Sequence, residues 1–229
     1  MMNLADSSRA GTVAYRARAK RNALLRAFLL QVRRTRGGPL RIVDLGGGIA
    51  YWERVGLDWL AEHDMTVACI NSRPSELVRD SAGRSTIETI VGDACNLDQF
   101  ADNSFDVAHS NSVIEHVGGW KQAEAFARET RRLAPAYYVQ TPYFWFPFDP
   151  HFYRAPMIHW LPLSLRVKVH RRVKAGWAVP DGSLDQAMYL AQSNEMLDRA
   201  QFRELFPDAD HRFEFAFGLP KSMIATRPA

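Results

Sequence analysis

From Leu40 onward, short apolar runs alternate with helical stretches, and this alternation limits the possible folds more than any other feature. Near-continuous apolar runs joined by helices are typical of parallel strands that are covered on both faces. We therefore predict an α/β fold with a seven-stranded, mostly parallel sheet and helices on both faces. Five strands are expected at 41–45, 65–71, 86–92, 105–110 and 136–142, with helices over 52–62 and 121–133. A further helix and two strands joined at "GLPKS" (218–222) complete the predicted sheet.

The length of the chain favours one main domain with an insertion. With 229 residues and 47% hydrophobic composition, the chain can bury one substantial core. Residues 143–193 break the alternation with prolines and many aromatics, so we interpret them as a lid or acceptor-binding segment inserted into a domain spanning 40–229. Cys69 and Cys95 each lie inside or just after an apolar run, so we expect both to be buried, reduced thiols. The sequence contains no apolar run long enough to span a membrane and no secretory signal, which predicts a cytoplasmic protein.

The positive charge is concentrated before the first strand. Residues 1–40 contain nine Lys or Arg and a single acidic residue, although the net charge of the whole chain is only +4. Apolar residues recur there at helical spacing, so we predict that residues 1–39 form a basic amphipathic helix packed on the core. Its apolar positions are Leu24, Leu25, Phe28, Leu29 and Val32. Contact of its basic face with nucleic acid, anionic lipid or an acidic substrate stays open, as does a transit peptide.

The stretch "RIVDLGGGIAYW" (41–52) places an aspartate and three glycines at the end of the first strand. Ligands bind at the carboxyl ends of the strands in such sheets, and glycines permit close approach of the backbone. The third glycine of a dinucleotide fingerprint is replaced here by Tyr51, which argues against a nicotinamide oxidoreductase. No Gly-Lys-Ser or Gly-Lys-Thr follows, so a phosphate-binding P-loop is excluded as well.

Counted as D-x-G-x-G-x-G, the same stretch supplies Asp44, Gly46 and Gly48, with Ala50 at the last position. Together with "FDVAHSNSVIEHV" (105–117) and "GLPKSMIATR" (218–227), it resembles the class I S-adenosylmethionine-dependent methyltransferases, particularly the type 11 methyltransferase domain group. The resemblance implies a Rossmann-like fold and S-adenosylmethionine as the cofactor. It also implies a cofactor site formed by Asp44, Gly46, Gly48, Asn71, Ser72, Asp93, Ala94, Ser110 and Asn111. Asn71 stands where the family commonly has an acidic ribose-binding residue.

The resemblance further implies methyl transfer, in which positioning supplies much of the catalysis. A hydroxyl acceptor also benefits from a base, and His116 is our first candidate because histidine titrates near the working pH. Within the insertion, Asp149 and His151 can form an acid–base pair, or Asp149 and His159 part of a metal site. The Asp-Pro-His spacing lacks the rigidity of a helical two-histidine motif, so we predict no metal.

The acceptor is the least determined part of the prediction. Aromatic residues of the insertion are dense enough to line a pocket, and Tyr143, Trp145 and His159 are the expected substrate contacts. Two basic, aromatic-containing segments favour a small anionic acceptor or a lipid-linked one, with peripheral membrane contact left open. No Asn-Pro-Pro-Tyr or Asp-Pro-Pro-Tyr cluster follows strand four, which argues against nucleic acid as the acceptor. The alternative hypothesis is an inactive methyltransferase-fold protein that binds a partner or nucleic acid through its basic helix.

Overall fold

The computed structural model describes residues 13–74, 86–176 and 179–229, with backbone only for residues 13–18. Seven strands form one mixed, mostly parallel sheet in the order β3-β2-β1-β4-β5-β7-β6. The strands are β1 (Leu40–Leu45), β2 (Met65–Asn71), β3 (Ile87–Val91), β4 (Val107–Asn111), β5 (Ala136–Pro142), β6 (Asp210–Ala216) and β7 (Leu219–Arg227). The predicted α/β sheet is therefore confirmed, and β1 pairs in parallel with both β2 and β4.

Seven α-helices lie in the described ranges. They are α1 (Val13–Arg36), α2 (Ile49–Val55), α3 (Leu57–Glu62), α4 (Trp120–Leu133), α5 (Leu163–His170), α6 (Leu184–Gln192) and α7 (Arg199–Leu205). The single helix expected over 52–62 is wrong: Gly56, at φ +113°, interrupts it between α2 and α3. That backbone conformation is strained for any residue with a Cβ. The last two strands are joined at Phe217 and Gly218, both at positive φ. The predicted junction at 218–222 is therefore wrong beyond Gly218, because residues 219–222 belong to β7.

The chain divides into two compact units. The first unit comprises residues 1–110, 129–138 and 226–229, and the second comprises 111–128 and 139–225. The core of the first unit is formed by the apolar side chains of β1 and β2 together with aromatic residues such as Trp52 and Tyr138. The second unit contains smaller apolar clusters, one of which joins Phe152, Ile158 and Ala175.

Helix α1 packs within the first unit along one face. Leu25, Leu29 and Val32 are fully buried, and the Arg26 side chain donates to the Val55 carbonyl at 2.8 Å. Leu24 departs from the prediction because 41% of it is exposed. The first twelve residues of the predicted N-terminal segment lie outside the described residues.

Both cysteines are free thiols, as expected, and Cys69 is buried in β2. The stretch from Leu165 to Val173, where basic and apolar residues are mixed, is helical over most of its length, in α5. Within the described part of the chain, no helix combines the length and hydropathy needed to cross a bilayer.

Candidate active site

The glycine-rich loop lies at the point where the order of the strands reverses. The chain passes from β1 outward to β2 and β3, then returns to β4 on the other side of β1. Residue 44 in β1 is paired with residue 109 in β4, so the loop that follows β1 begins at this switch point. Doubly wound sheets bind ligands at the carboxyl ends of the strands at such a point.

Asp44 supports this loop from within the core of the first unit. It is only 1% exposed, and its two carboxylate oxygens accept hydrogen bonds from Trp52 Nε1 and from His109 Nδ1, each at 2.7 Å. An ideal Cβ on Gly47 would lie 1.5 Å from Asp44 Oδ2, and Gly46 adopts φ +76°. Only glycine fits at residue 47, because the loop backbone lies directly over the buried carboxylate.

Asn71, at the end of β2, holds the same loop. Its Nδ2 donates to the Gly46 carbonyl at 3.0 Å and to the Gly47 carbonyl at 3.2 Å, while its Oδ1 accepts from the Arg73 amide at 3.0 Å. The adjacent Ser72 is exposed. An aspartate at this position could not donate to the two carbonyls. The asparagine is therefore matched to the conformation of this loop.

The remaining predicted cofactor residues also lie at strand ends. Asp93 is exposed after β3, and its Oδ1 accepts from the Cys95 amide at 2.9 Å, which closes a turn beside Ala94. Ser110 is buried in β4, where its hydroxyl donates to the Leu45 carbonyl at 3.0 Å. Asn111 ends the same strand and is half-buried.

A second cluster of polar side chains lies within the second unit. A 3₁₀ turn at Ile114–His116 carries Glu115 and His116, and the segment after β5 carries His151. One ligand atom from each of these three residues lies within 4.8 Å of the other two. The rings of His116 and His151 meet edge to face, with their centroids 4.6 Å apart. The structure thus brings together His116 and His151, two of the histidines that the sequence analysis predicted as catalytic residues.

Hydrogen bonds orient both histidines of this cluster. His151 Nδ1 lies 2.7 Å from Asp149 Oδ1, and His116 Nδ1 lies 3.0 Å from the Ser193 carbonyl. Because both partners are acceptors, each Nδ1 carries the proton, which makes Nε2 the nitrogen with a lone pair. Asn194 Nδ2 donates to the other Asp149 oxygen at 2.9 Å, so the buried carboxylate is held from two sides.

Burial and charge shift the ionisation of this cluster. Burial raises the pKa of Glu115 to about 7, against the lowering effect of its own backbone N–H and of His151. Burial also opposes the charged form of Asp149, but the hydrogen bond and charge of His151 hold the pKa of Asp149 below its usual range. Conversely, Asp149 raises the pKa of His151 despite burial of the ring. Perturbed carboxyl and imidazole groups in contact are typical of functional sites.

Glu115 is the cluster member that our sequence analysis did not nominate. It is 0% exposed, and Thr141 donates a hydrogen bond to its Oε2 at 3.0 Å. The sequence feature that could have identified Glu115 is its position in "VIEHV", where a carboxylate lies between the apolar residues Ile114 and Val117.

The predicted substrate residues separate into two groups. Tyr143 and Trp145 line an open cavity of about 430 Å³ in the second unit, together with Asp198, Arg199, Ala200 and Arg203. His159 instead lies 2.8 Å, through Nε2, from the Phe144 carbonyl, which also accepts from Trp160 Nε1 at 2.8 Å. Sequence analysis missed the two arginines because they follow the proposed insertion, in α7.

Comparisons with known proteins bear on the family and the fold of this chain. Residues 44–136 match the family model described as "Methyltransferase domain". None of the curated proteins matches the sequence at a significant level. The PH0226 protein from Pyrococcus horikoshii OT3 is similar in fold at 15% identity, covering 94% of this chain and 91% of its own, with a TM-score of 0.56.

Two further solved structures similar in fold have methyltransferase names. An S-adenosylmethionine-dependent methyltransferase from Mesorhizobium loti is 18% identical, covers 89% of this chain and 95% of its own, and has a TM-score of 0.54. The 1,6-didemethyltoxoflavin-N1-methyltransferase from Burkholderia thailandensis, solved with S-adenosylhomocysteine, is 13% identical over 90% of this chain and 77% of its own, with a TM-score of 0.53. The fold is thus that of the Rossmann-like methyltransferases. With the family match over residues 44–136, the predicted resemblance to the class I S-adenosylmethionine-dependent methyltransferases is confirmed.

The loop at the switch point fits the cofactor of this class. A side chain at residue 47 would collide with Asp44, and Gly46 has a left-handed conformation, so backbone alone lines this part of the strand edge. Such bare backbone permits the close approach that a nucleoside cofactor requires.

Proposed function

We propose that this chain methylates an oxygen atom of a small or carrier-linked acceptor, with S-adenosylmethionine as the donor and a histidine accepting the acceptor's proton. The observation that carries the proposal is the hydrogen bond of 2.7 Å between the buried Asp149 and His151. A hydroxyl oxygen attacks more readily if its proton is removed as the new bond forms, and a histidine oriented by a carboxylate is suited to that role.

The cofactor supplies an electrophilic methyl group attached to a sulfonium. We propose that the cofactor is held by the backbone of residues 46–48 and by the side chains of Asn71 and Asp93. Asp44 stabilises the conformation of the loop from within the core. Their positions at the carboxyl ends of β1, β2 and β3 support this assignment. Such contacts contribute to catalysis through orientation, since the methyl group transfers in line between sulfur and the attacking oxygen.

His151 is the better supported of the two candidate bases. Its Nδ1 donates to a carboxylate, which stabilises the charge that the ring acquires on accepting a proton at Nε2. His116 donates to a neutral carbonyl, which offers less stabilisation of a charged ring. We therefore assign the base to His151, the orienting role to Asp149 and a supporting role to His116.

The cavity lined by Tyr143 and Trp145 supports an acceptor with an anionic group and an apolar or ring-shaped part. Arg199 and Arg203 supply positive charge there, and 58% of Trp145 is exposed. Guanidinium groups recognise carboxylates and phosphates through paired hydrogen bonds. Apolar side chains on the nearby chain segment, including Leu161, Leu163 and Leu165, are also exposed. This combination favours an acidic metabolite or a lipid-linked acceptor at a membrane surface.

The first test is calorimetric titration of the purified chain with S-adenosylmethionine and S-adenosylhomocysteine. Gly47→Ala should abolish binding, because its Cβ would lie 1.5 Å from Asp44 Oδ2. Gly38→Ala is the matched control, since nothing lies within 4 Å of a Cβ at that position. Failure of the folded wild-type chain to bind either ligand would favour the alternative of an inactive protein that binds a partner through its basic helix.

A panel of hydroxyl acceptors would then test the oxygen assignment. Acceptors bearing a carboxylate or phosphate are expected to be methylated faster than their uncharged analogues, and Arg199→Ala should reduce that preference. Mass spectrometry of the product locates the methyl group. Methylation at nitrogen or carbon alone would overturn the proposed oxygen specificity.

A further inference from the structure

Glu115, His116 and His151 have the composition of a metal-binding site. They offer one carboxylate and two imidazoles, and one ligand atom from each lies within 4.8 Å of the others. All three belong to the second unit, with two on the 3₁₀ turn and one on the segment that follows β5. Two histidines and one carboxylate form a common three-ligand set for a divalent metal and leave coordination positions open.

The hydrogen bonds of His116 and His151 involve Nδ1 and leave Nε2 of each ring available to bind a metal. Metal-ligating histidines usually donate their other N–H to a carboxylate or a carbonyl, which fixes the tautomer and the ring orientation. His151 Nδ1 lies 2.7 Å from Asp149 Oδ1, and His116 Nδ1 lies 3.0 Å from the Ser193 carbonyl. His151 thus has a carboxylate partner and His116 a carbonyl partner, and these hydrogen bonds leave Nε2 of each ring as the nitrogen available to a metal.

Glu115 supplies an independent indication that a cation belongs here. The residue is fully buried, and its Oε2 accepts from Thr141, but its Oε1 has no hydrogen-bond partner among the described residues. Leaving a buried carboxylate oxygen without a partner is costly, so buried carboxylates are normally paired or coordinate metals. A cation shared with the two imidazoles would satisfy this oxygen.

The residues around His151 hold it in a fixed orientation. Asp149 Oδ1 accepts from the His151 backbone N–H at 2.8 Å as well as from the ring, and Asn194 Nδ2 binds its other oxygen at 2.9 Å. Asn194 Nδ2 also lies 3.1 Å from His151 Nδ1, but that nitrogen already donates to Asp149. The carboxylate–histidine pair is thus supported as it is in metal sites.

We infer that Glu115, His116 and His151 bind one divalent transition-metal ion of the kind that favours imidazole ligands, such as Zn²⁺, Fe²⁺ or Ni²⁺. Two nitrogen ligands disfavour Mg²⁺ and Ca²⁺, which prefer oxygen. With the ion bound, the Nε2 lone pair of His151 would be held by the metal, so the ion would replace His151 as the group that activates the acceptor. Its open positions would hold the acceptor oxygen and lower the pKa of that hydroxyl, whose proton would pass to solvent. This consequence for catalysis rests on the proposed function, whereas the binding of the ion does not.

The test is a titration of untagged, chelator-stripped full-length protein with Zn²⁺, measured by competition with a chromophoric chelator. We expect one ion per chain. Glu115→Gln, which keeps the size of the side chain and removes its charge, His116→Ala and His151→Ala should each weaken binding by at least about 10-fold, and Asp149→Asn by about 10- to 100-fold. His211→Ala is the matched control, since His211 lies in β6 with its Nε2 2.8 Å from the Phe206 carbonyl.

Co²⁺ provides a second measurement that does not depend on activity. Its visible absorption should indicate a four- or five-coordinate site with nitrogen ligands, and the spectrum should disappear in His116→Ala but persist in His211→Ala. Circular dichroism establishes that each variant is folded. Absence of stoichiometric binding by the folded wild-type chain overturns the inference, and so does equal affinity in the wild type and all ligand variants.

The two proposals can fail separately. A chelator-stripped chain that binds S-adenosylmethionine and methylates a hydroxyl at full rate without binding metal contradicts only the metal site. A chain that binds one ion at this cluster but never binds the cofactor contradicts only the proposed function.

Discussion

Two buried carboxylates in this protein have contrasting surroundings. Asp44, in the first unit, has both oxygens occupied by side-chain donors, Trp52 and His109. Glu115, in the second unit, has one oxygen bonded to Thr141 and one with no hydrogen-bond partner among the described residues. A fully satisfied carboxylate stabilises a local structure, while a partly satisfied one is available to a proton, a cation or a substrate. This contrast motivates the proposed roles of the two residues, in which Asp44 supports the cofactor loop and Glu115 is a metal ligand.

The strongest test of this contrast compares the stabilities of Asp44→Ala and Glu115→Gln. Asp44→Ala leaves two buried donors, on Trp52 and His109, without a partner, at a cost of about 1–3 kcal/mol each. Glu115→Gln preserves an acceptor for Thr141 and removes a buried acid, so its free energy of unfolding should fall by less than about 1 kcal/mol. Urea unfolding at neutral pH measures both. Equal destabilisation by the two substitutions would show that both carboxylates are structural.

The second prediction concerns turnover. His151→Ala should lower kcat by about 10²- to 10⁴-fold, because it removes the group that accepts the proton or holds the ion. The affinity for S-adenosylmethionine, measured by calorimetry, should stay within about threefold of the wild type, since the loop residues are unchanged. His116→Ala should also reduce turnover more than cofactor affinity. Equal losses of turnover and cofactor affinity would instead indicate that the histidine is structural, and His211→Ala provides the control.

The sequence predicted much of the sheet because buried parallel strands have continuous apolar runs. The observed bounds of β2 and β5 match the predicted ones. The bounds of β1, β3 and β4 differ from the predicted ones by at most two residues. The break at Gly56 was missed because an isolated glycine is tolerated within a helix, and only its φ of +113° reveals the interruption.

The composition of the site was harder to predict than its location. Strand ends identified where Asp44 and Asn71 would lie, but their partners depend on contacts that local patterns do not encode. His109 is 65 residues from Asp44, and Asn194 is 45 residues from Asp149. The same limit explains why Glu115 was missed, since its importance depends on the proximity of His151, 36 residues later in the chain.

The smallest expected effect concerns His170, a buried histidine in the second unit that we place outside the site. Burial and the nearby Arg166 lower its pKa, against the opposing charge of Asp149, and its ring packs on Phe152 with centroids 4.5 Å apart. The folded state therefore favours the neutral ring, whereas the unfolded chain takes up a proton near the ordinary value of 6.5. The contribution of His170 to stability is present above pH 6.5 and is lost as the pH falls from 6.5 through the folded pKa.

Removing this histidine should flatten the dependence of stability on pH. His170→Leu keeps an apolar contact with Phe152 and has no titrating group, so its urea midpoint should fall less than that of the wild type between neutral and mildly acidic pH. The difference between the two curves isolates His170, because His151, Asp149 and Glu115 titrate in both proteins. If His170→Leu and the wild type lose stability in parallel on acidification, the prediction is wrong. Protonation of the buried ring at residue 170 then does not destabilise the fold, and the pH dependence arises from other groups.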